Sequence, residues 1–134
     1  MFQSVNADEL SMILISHAHI DHCGALPYYL ANTTYNKKVY ITKATLAIYE
    51  YLLVDLLKVR EEKQYFTKDD INASLSKIKV VDFGIQFKED GITVTPYCAG
   101  HIVGASMFLI EVDGIRVLYT GDYSCEEDRY IMKA

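Results

Sequence analysis

Three of the chain's four histidines fall within one six-residue segment, HAHIDH, at positions 17–22. In an extended segment the side chains at i and i+2 point to the same side, so His17 and His19 can bind one metal ion together. Asp21 and His22 follow where we expect the chain to turn into a helix, and they can face a second ion. Imidazole and carboxylate groups suit zinc. The alternative, a polar loop that happens to be rich in histidine, fits this regular spacing poorly.

The fourth histidine and one aspartate each follow a strand-like run. His101 lies in the turn CAGHIVG (98–104), whose glycines allow backbone conformations closed to other residues. Asp122 follows an apolar run and Gly121, and a carboxylate at a strand end can bridge two metals. Either feature alone is more often a plain turn, but beside the histidine cluster they complete a candidate site. We interpret Cys23 as a small buried residue at the start of a helix and not as a metal ligand.

Helical and strand-like patterns alternate in the first half of the chain, and the second half is rich in hairpins. The predicted strands are 12–16, 38–42, 78–82, 92–97, 107–112 and 116–120, and the predicted helices are 25–30, 44–58, 67–76 and 128–134. Thr67 and Asp70 have the spacing of a capping box. Asp90-Gly91 and Asp113-Gly114 are hairpin turn signals. The mixture favours an α/β fold with α+β layers over a purely parallel doubly wound sheet.

Length, charge and cysteine content set broader limits. The 134 residues suffice for one domain, and the net charge of −5 predicts no basic surface for a nucleic-acid backbone. Bound Zn²⁺ ions would reverse the local charge, so the net charge neither supports nor excludes a nucleic-acid substrate. Three scattered cysteines suit a reducing compartment. We see no signal peptide or membrane-spanning run, and we expect an intracellular protein with no membrane association.

The order of these motifs resembles the ligand signature of the metallo-β-lactamase superfamily. The surrounding sequence is similar to the β-CASP nuclease branch, and within it to the endonuclease family of cleavage and polyadenylation complexes. The blocks that carry the resemblance are SHAHIDHCGALPYYL (16–30), AIYEYLLVDLLKV (47–59), PYCAGHIVGASMFLIEV (96–112) and VLYTGDYSCEEDRY (117–130). The Integrator nuclease and archaeal relatives share much of this sequence, so those branches stay open.

The resemblance implies a zinc-dependent RNA endonuclease that cuts pre-mRNA before polyadenylation, in the nucleus, together with the other subunits of a cleavage and polyadenylation complex. It implies two Zn²⁺ ions. The first ion would be bound by His17, His19 and His101. The second would be bound by Asp21 and His22, and Asp122 would bridge the two ions. A hydroxide between the metals would attack phosphorus and leave a 3′-hydroxyl and a 5′-phosphate. Asp21 and Asp122 are therefore the residues that we expect to be catalytic.

The resemblance also implies parts that we do not find in the sequence. We expect residues 1–134 to form a partial metallo-β-lactamase domain, a partial αββα sandwich, with the N-terminal strands and the β-CASP domain absent. The second zinc site then lacks one histidine, and no residue can be assigned as the acid that protonates the leaving group, so we expect this chain alone to be inactive. Cys125 and Tyr130 stand where the family pattern has arginine and histidine.

Two other functions stay open on the sequence alone. One is a general hydrolase of the same fold that acts on a thioester, a lactam or a phosphodiester. The other is a fragment that serves only as a non-catalytic interaction module.

Overall fold

The structure is a computed structural model, and it describes residues 6–59 and 65–134. Four α-helices and seven β-strands form it, preceded by a short 3-10 turn at Ala7–Glu9. The helices are α1 (Ile20–Cys23), α2 (Leu26–Ala31), α3 (Lys43–Val59) and α4 (Lys68–Lys77). The strands are β1 (Ile13–Leu14), β2 (Val39–Thr42), β3 (Ile78–Val81), β4 (Phe87–Glu89), β5 (Ile92–Cys98), β6 (Ser106–Val112) and β7 (Ile115–Tyr119).

The strands form two sheets of different kinds. The first is parallel, in the order β1-β2-β3, and the second is antiparallel, in the order β4-β5-β6-β7. The central strand β2 is buried along its whole length, as expected for a parallel strand covered on both faces. Asp90 and Gly91, and likewise Asp113 and Gly114, have positive φ angles at the two hairpin turns, which confirms both turn predictions.

The core divides at strand β2, because alternate residues of a strand face opposite sides. Val39 and Ile41 pack with residues of α3 and α4 such as Leu53 in one cluster. Tyr40, between them, packs with Phe108 of the antiparallel sheet in a second cluster. The layers are therefore helices, parallel sheet and antiparallel sheet. These are three layers of an αββα sandwich, and the predicted fold class is confirmed.

Most of the predicted elements are present, with shifts of one or two residues at their ends, although β1 is shorter than the predicted strand. The capping box also forms: the Thr67 side chain accepts from the backbone N–H of Asp70, and the Asp70 carboxylate accepts from that of Thr67. Strand β4 was not predicted.

The helix predicted over 128–134 is wrong. The Asp128 carboxylate accepts hydrogen bonds from the backbone N–H groups of Tyr130 and Ile131, and the N–H of Ala134 donates to the Ser124 carbonyl. The Asp128 contacts alone would suit the start of a helix, but the Ala134 N–H is used outside a helical ladder. Nucleating a helix fixes several residues before its own bonds compensate for the lost entropy, so a short segment with other partners does not form one.

Among the described residues, no helix combines the length and the apolar character needed to cross a membrane. Strand β7 lies at the edge of its sheet, and all five of its residues are exposed.

Candidate metal centre

The histidine cluster begins directly after strand β1, where the chain passes between the two sheets. The N–H of Ile15 continues the pairing to β2, and the carbonyl of Ser16 accepts from the N–H of Ser106 in β6 at 2.8 Å. His17 is fully buried. His19 is the N-cap of α1 but makes no capping bond with its side chain, which leaves its imidazole available to the cluster. The local fold thus places these two side chains at the end of a strand, as predicted.

His101 is presented by the loop between β5 and β6. The N–H of Ala99 donates to the Ala105 carbonyl, which closes the base of the loop. Gly104 has a φ of +83°, and a Cβ there would lie 2.6 Å from the backbone nitrogen of Thr45. Its carbonyl accepts from the hydroxyls of Thr42, at 2.7 Å, and Thr45, at 2.9 Å. The loop is therefore anchored to the start of helix α3.

Asp122 follows β7 through Gly121, whose φ is +55°. A Cβ on Gly121 would lie 3.0 Å from the Cβ of Ser16, so the two segments that carry the predicted ligands approach closely here. The next turn is tied to the His101 loop, because the N–H of Ser124 donates to the Ala99 carbonyl at 2.8 Å.

These three segments bring four predicted ligands together. Nδ1 of His19 lies 3.0 Å from Nε2 of His17 and 3.2 Å from Nε2 of His101. Oδ2 of Asp122 lies 3.7 Å from Nε2 of His17 and 3.6 Å from Nε2 of His101. All four ligand atoms fall within 4.8 Å of one another. Four groups converge on one small volume.

The other two predicted ligands lie beside this group. Nε2 of His22 is 3.5 Å from Oδ2 of Asp21 and 3.7 Å from Oδ2 of Asp122. One carboxylate oxygen of Asp122 is therefore close to both the four-residue group and the Asp21–His22 pair. The Asp21 side chain is three-quarters exposed, so this second group is the more open of the two.

The chemistry of the donor set fits a zinc ion. Zn–N bonds of 2.0–2.1 Å set tetrahedral ligands roughly 3.4 Å apart. The four separations given above for these ligand atoms, from 3.0 to 3.7 Å, bracket that value. Burial, followed by the nearby charges of His22, His19 and His101, lowers the pKa of His17 from 6.5 to about 4. His17 is therefore neutral near pH 7, which is the form that a metal requires.

Cys23 lies next to the cluster in sequence but belongs to the core. It is 2% exposed, and its thiol donates to the His19 carbonyl at 3.3 Å. Burial raises the pKa of the thiol to about 12, so a thiolate is disfavoured. The prediction that Cys23 packs in the core is confirmed.

Three residues that contact the ligand segments were not predicted. Ser16 lies 3.1 Å from Nδ1 of His17, and Thr42 and Thr45 hold the loop of His101. Serine and threonine are common in strands and turns, so spacing alone gives no signal for these roles. Cys125 and Tyr130, noted as departures from the family pattern, are both exposed.

Residues 2–134 match the family described as "Metallo-beta-lactamase superfamily domain". The chain is 46% identical to the cleavage and polyadenylation specificity factor subunit 3-I of Arabidopsis thaliana and 43% identical to the cleavage and polyadenylation specificity factor 73 of Drosophila melanogaster. These alignments cover 99% and 97% of the chain, but only 20% and 19% of the relatives.

The endoribonuclease ysh-1 of Neurospora crassa is 39% identical over 99% of the chain and 16% of its own length. The chain thus spans a fifth or less of these curated relatives. A solved structure titled as a protein of unknown function from Enterococcus faecalis V583 superposes with a TM-score of 0.57. It is 24% identical and covers 85% of this chain and 25% of that one, which supports the fold alone.

Proposed function

The chain belongs to the metallo-beta-lactamase superfamily, and we propose that it carries the metal-binding part of a zinc-dependent RNA endonuclease. The proposed reaction is hydrolysis of a phosphodiester of pre-mRNA before polyadenylation. The observation that carries the proposal is the convergence of His17, His19, His101 and Asp122, in a chain 39–46% identical to relatives named as an endoribonuclease or as cleavage factors.

In this proposal the imidazoles of His17, His19 and His101 would hold the first zinc ion. Asp21 and His22 would hold the second, and the Asp122 carboxylate would reach both. The bound ions would lower the pKa of a water and offset charge on the phosphoryl oxygens. The two aspartates would offset part of the positive charge and so would act in catalysis as carboxylate ligands.

The exposure of the ligands indicates the side from which RNA would approach. His17 is fully buried, whereas His19 and Asp122 are exposed and His101 is half-buried. A phosphodiester can therefore reach the site from the face that His19 and Asp122 share, with His17 beneath them. We further propose that this chemistry operates in the nucleus, within a cleavage and polyadenylation complex.

A chimera provides the direct test. Residues 1–134 would replace the matching segment of the Neurospora crassa endoribonuclease, and the purified chimera would be incubated with labelled RNA. We expect cleavage by the chimera and none by its Asp122→Asn form.

A folded chimera that binds zinc but leaves RNA intact would contradict the proposal. Thioester and lactam substrates, tested in parallel, would then show whether the site serves a different hydrolysis or is a non-catalytic module.

A further inference from the structure

On the basis of the proposed metal-dependent function, we propose that Ser16 is a positioning residue that fixes the tautomer and the ring orientation of His17. The Ser16 hydroxyl oxygen lies 3.1 Å from Nδ1 of His17, the ring nitrogen that faces away from the cluster. Through this contact, Ser16 would accept a hydrogen bond from Nδ1 when Nε2 of His17 offers its lone pair to the metal.

The chemistry of imidazole relates this contact to metal binding. A neutral imidazole has one nitrogen with a proton and one with a lone pair. For Nε2 of His17 to bind a metal, its Nδ1 must carry the proton and donate it in a hydrogen bond. The Ser16 hydroxyl oxygen can accept that bond.

In the other tautomer of His17, another histidine of the site competes with the metal for Nε2. With the proton on Nε2, His17 can donate to Nδ1 of His19, 3.0 Å away. That hydrogen bond would occupy two of the proposed ligand atoms at once. Loss of the Ser16 acceptor therefore favours an arrangement in which His17 and His19 bind each other and not the metal.

Burial explains why His17 depends on a protein partner more than the other histidines do. Its exposed fraction is 0%, whereas His19 is exposed and His101 is half-buried, so water can reach their second nitrogens. A buried N–H without an acceptor is destabilised, and this cost can change the preferred tautomer.

Ser16 itself is held in place from two sides. Its carbonyl accepts from the N–H of Ser106 at 2.8 Å. On the Asp122 side, a Cβ on Gly121 would lie 3.1 Å from the Ser16 hydroxyl oxygen, so a larger residue at position 121 would crowd this hydroxyl. Ser16 is only 5% exposed, and its hydroxyl has little freedom to turn to solvent.

The test compares Ser16→Ala with Ser74→Ala in the full chain. Ser74 is a fully buried serine in α4 that donates to the Ile71 carbonyl and hydrogen bonds with Tyr49. Ser74→Ala therefore removes a buried hydroxyl, as Ser16→Ala does, but leaves the surroundings of the proposed metal ligands unchanged. Zinc affinity would be measured by competition with a chelator. We expect Ser16→Ala to weaken it by about 10–100-fold and Ser74→Ala to leave it unchanged.

Two spectroscopic measurements address geometry directly. Co²⁺ in place of zinc should give altered visible absorption bands in Ser16→Ala but not in Ser74→Ala. In zinc-loaded wild-type chain, ¹⁵N NMR should show a slowly exchanging proton on Nδ1 of His17, and this measurement needs no variant that might misfold.

Equal zinc affinity of Ser16→Ala and wild type, or an Nδ1 of His17 without a proton, would overturn the role of Ser16 while leaving the proposed function intact. A wild-type chain that takes up neither zinc nor Co²⁺ would overturn the metal site and the role of Ser16 together.

Discussion

Nδ1 of His19 lies 3.2 Å from Nε2 of His101, although the two residues are 82 positions apart in the chain. His19 follows a strand of the parallel sheet, and His101 belongs to a loop of the antiparallel sheet. The candidate metal centre therefore forms only when the two sheets are packed together.

Removing His101 should empty the first zinc site. His101→Ala takes away one of three nitrogen donors, and zinc held only by two imidazoles and Asp122, with water as the fourth ligand, should bind weakly enough to be lost on dialysis. Elemental analysis of the purified chain should show a loss of most of the bound zinc. Cys23→Ser is the control, because Cys23 packs in the core, and its zinc content should equal that of wild type.

The wild-type chain should retain about one zinc ion after dialysis and not two. The first group has three imidazoles and a carboxylate within 4.8 Å, whereas the second has Asp21, His22 and a shared Asp122. Metal content at increasing chelator concentration would show the two affinities. Two ions held equally tightly would contradict this ranking.

The chain alone should not cut labelled RNA faster than its Asp122→Asn form. Among the described residues, His101 and Asp122 form side-chain hydrogen bonds and ion pairs with other proposed metal ligands. We assign no residue as the acid that protonates the leaving group. Such a donor contributes about 10²–10⁴-fold to the rate. Cleavage well above the Asp122→Asn background would show that the site is self-sufficient.

The zinc-free chain should lose stability as the pH falls from about 6.5 to about 4. The folded-state pKa of His17 is about 4, against 6.5 for the free side chain, so the unfolded chain binds more protons across this range. The loss should approach about 3 kcal/mol in the free energy of unfolding. Urea denaturation at stepped pH measures it, and His17→Gln should give a flatter profile than wild type. Parallel profiles for the two proteins would argue against a buried neutral His17.

Thr45→Val should destabilise the chain by about 1–2 kcal/mol, because it removes a buried hydroxyl that donates to the Gly104 carbonyl. Urea denaturation provides the measurement. Thr34→Val is the matched control, since the Thr34 hydroxyl donates to Asp8 at the surface, and its effect should be near zero. An equal loss of unfolding free energy in both variants would show that the buried hydrogen bond to Gly104 contributes no more to stability than the surface one.

The sequence contained strong signals for the elements that position the candidate ligands. Regular apolar spacing predicted α3, and the pairs Asp90-Gly91 and Asp113-Gly114 predicted the hairpin turns, since a turn with two positive φ angles restricts the residue types that can occupy it. The H-x-H-x-D-H spacing likewise indicated a metal site, because such spacing directs several donors toward one region.

Other features depend on contacts that local sequence does not encode. Strand β4 has three residues, Phe87–Glu89, and pairing with β5 defines it more than any pattern of its own. The turn at Asp128 uses a side-chain cap that equally suits the start of a helix. Ser16, Thr42 and Thr45 acquire their roles only through tertiary packing.

The placement of the proposed ligands on both sheets has a further consequence for how this protein would be handled. An ion held by residues of both sheets binds the folded chain and not the unfolded one, so its binding energy adds to the free energy of unfolding. Each tenfold rise in free zinc above the dissociation constant then adds about 1.4 kcal/mol. A chelator would therefore lower the stability of this chain. The melting temperature would depend on the free zinc concentration of the buffer as well as on the protein.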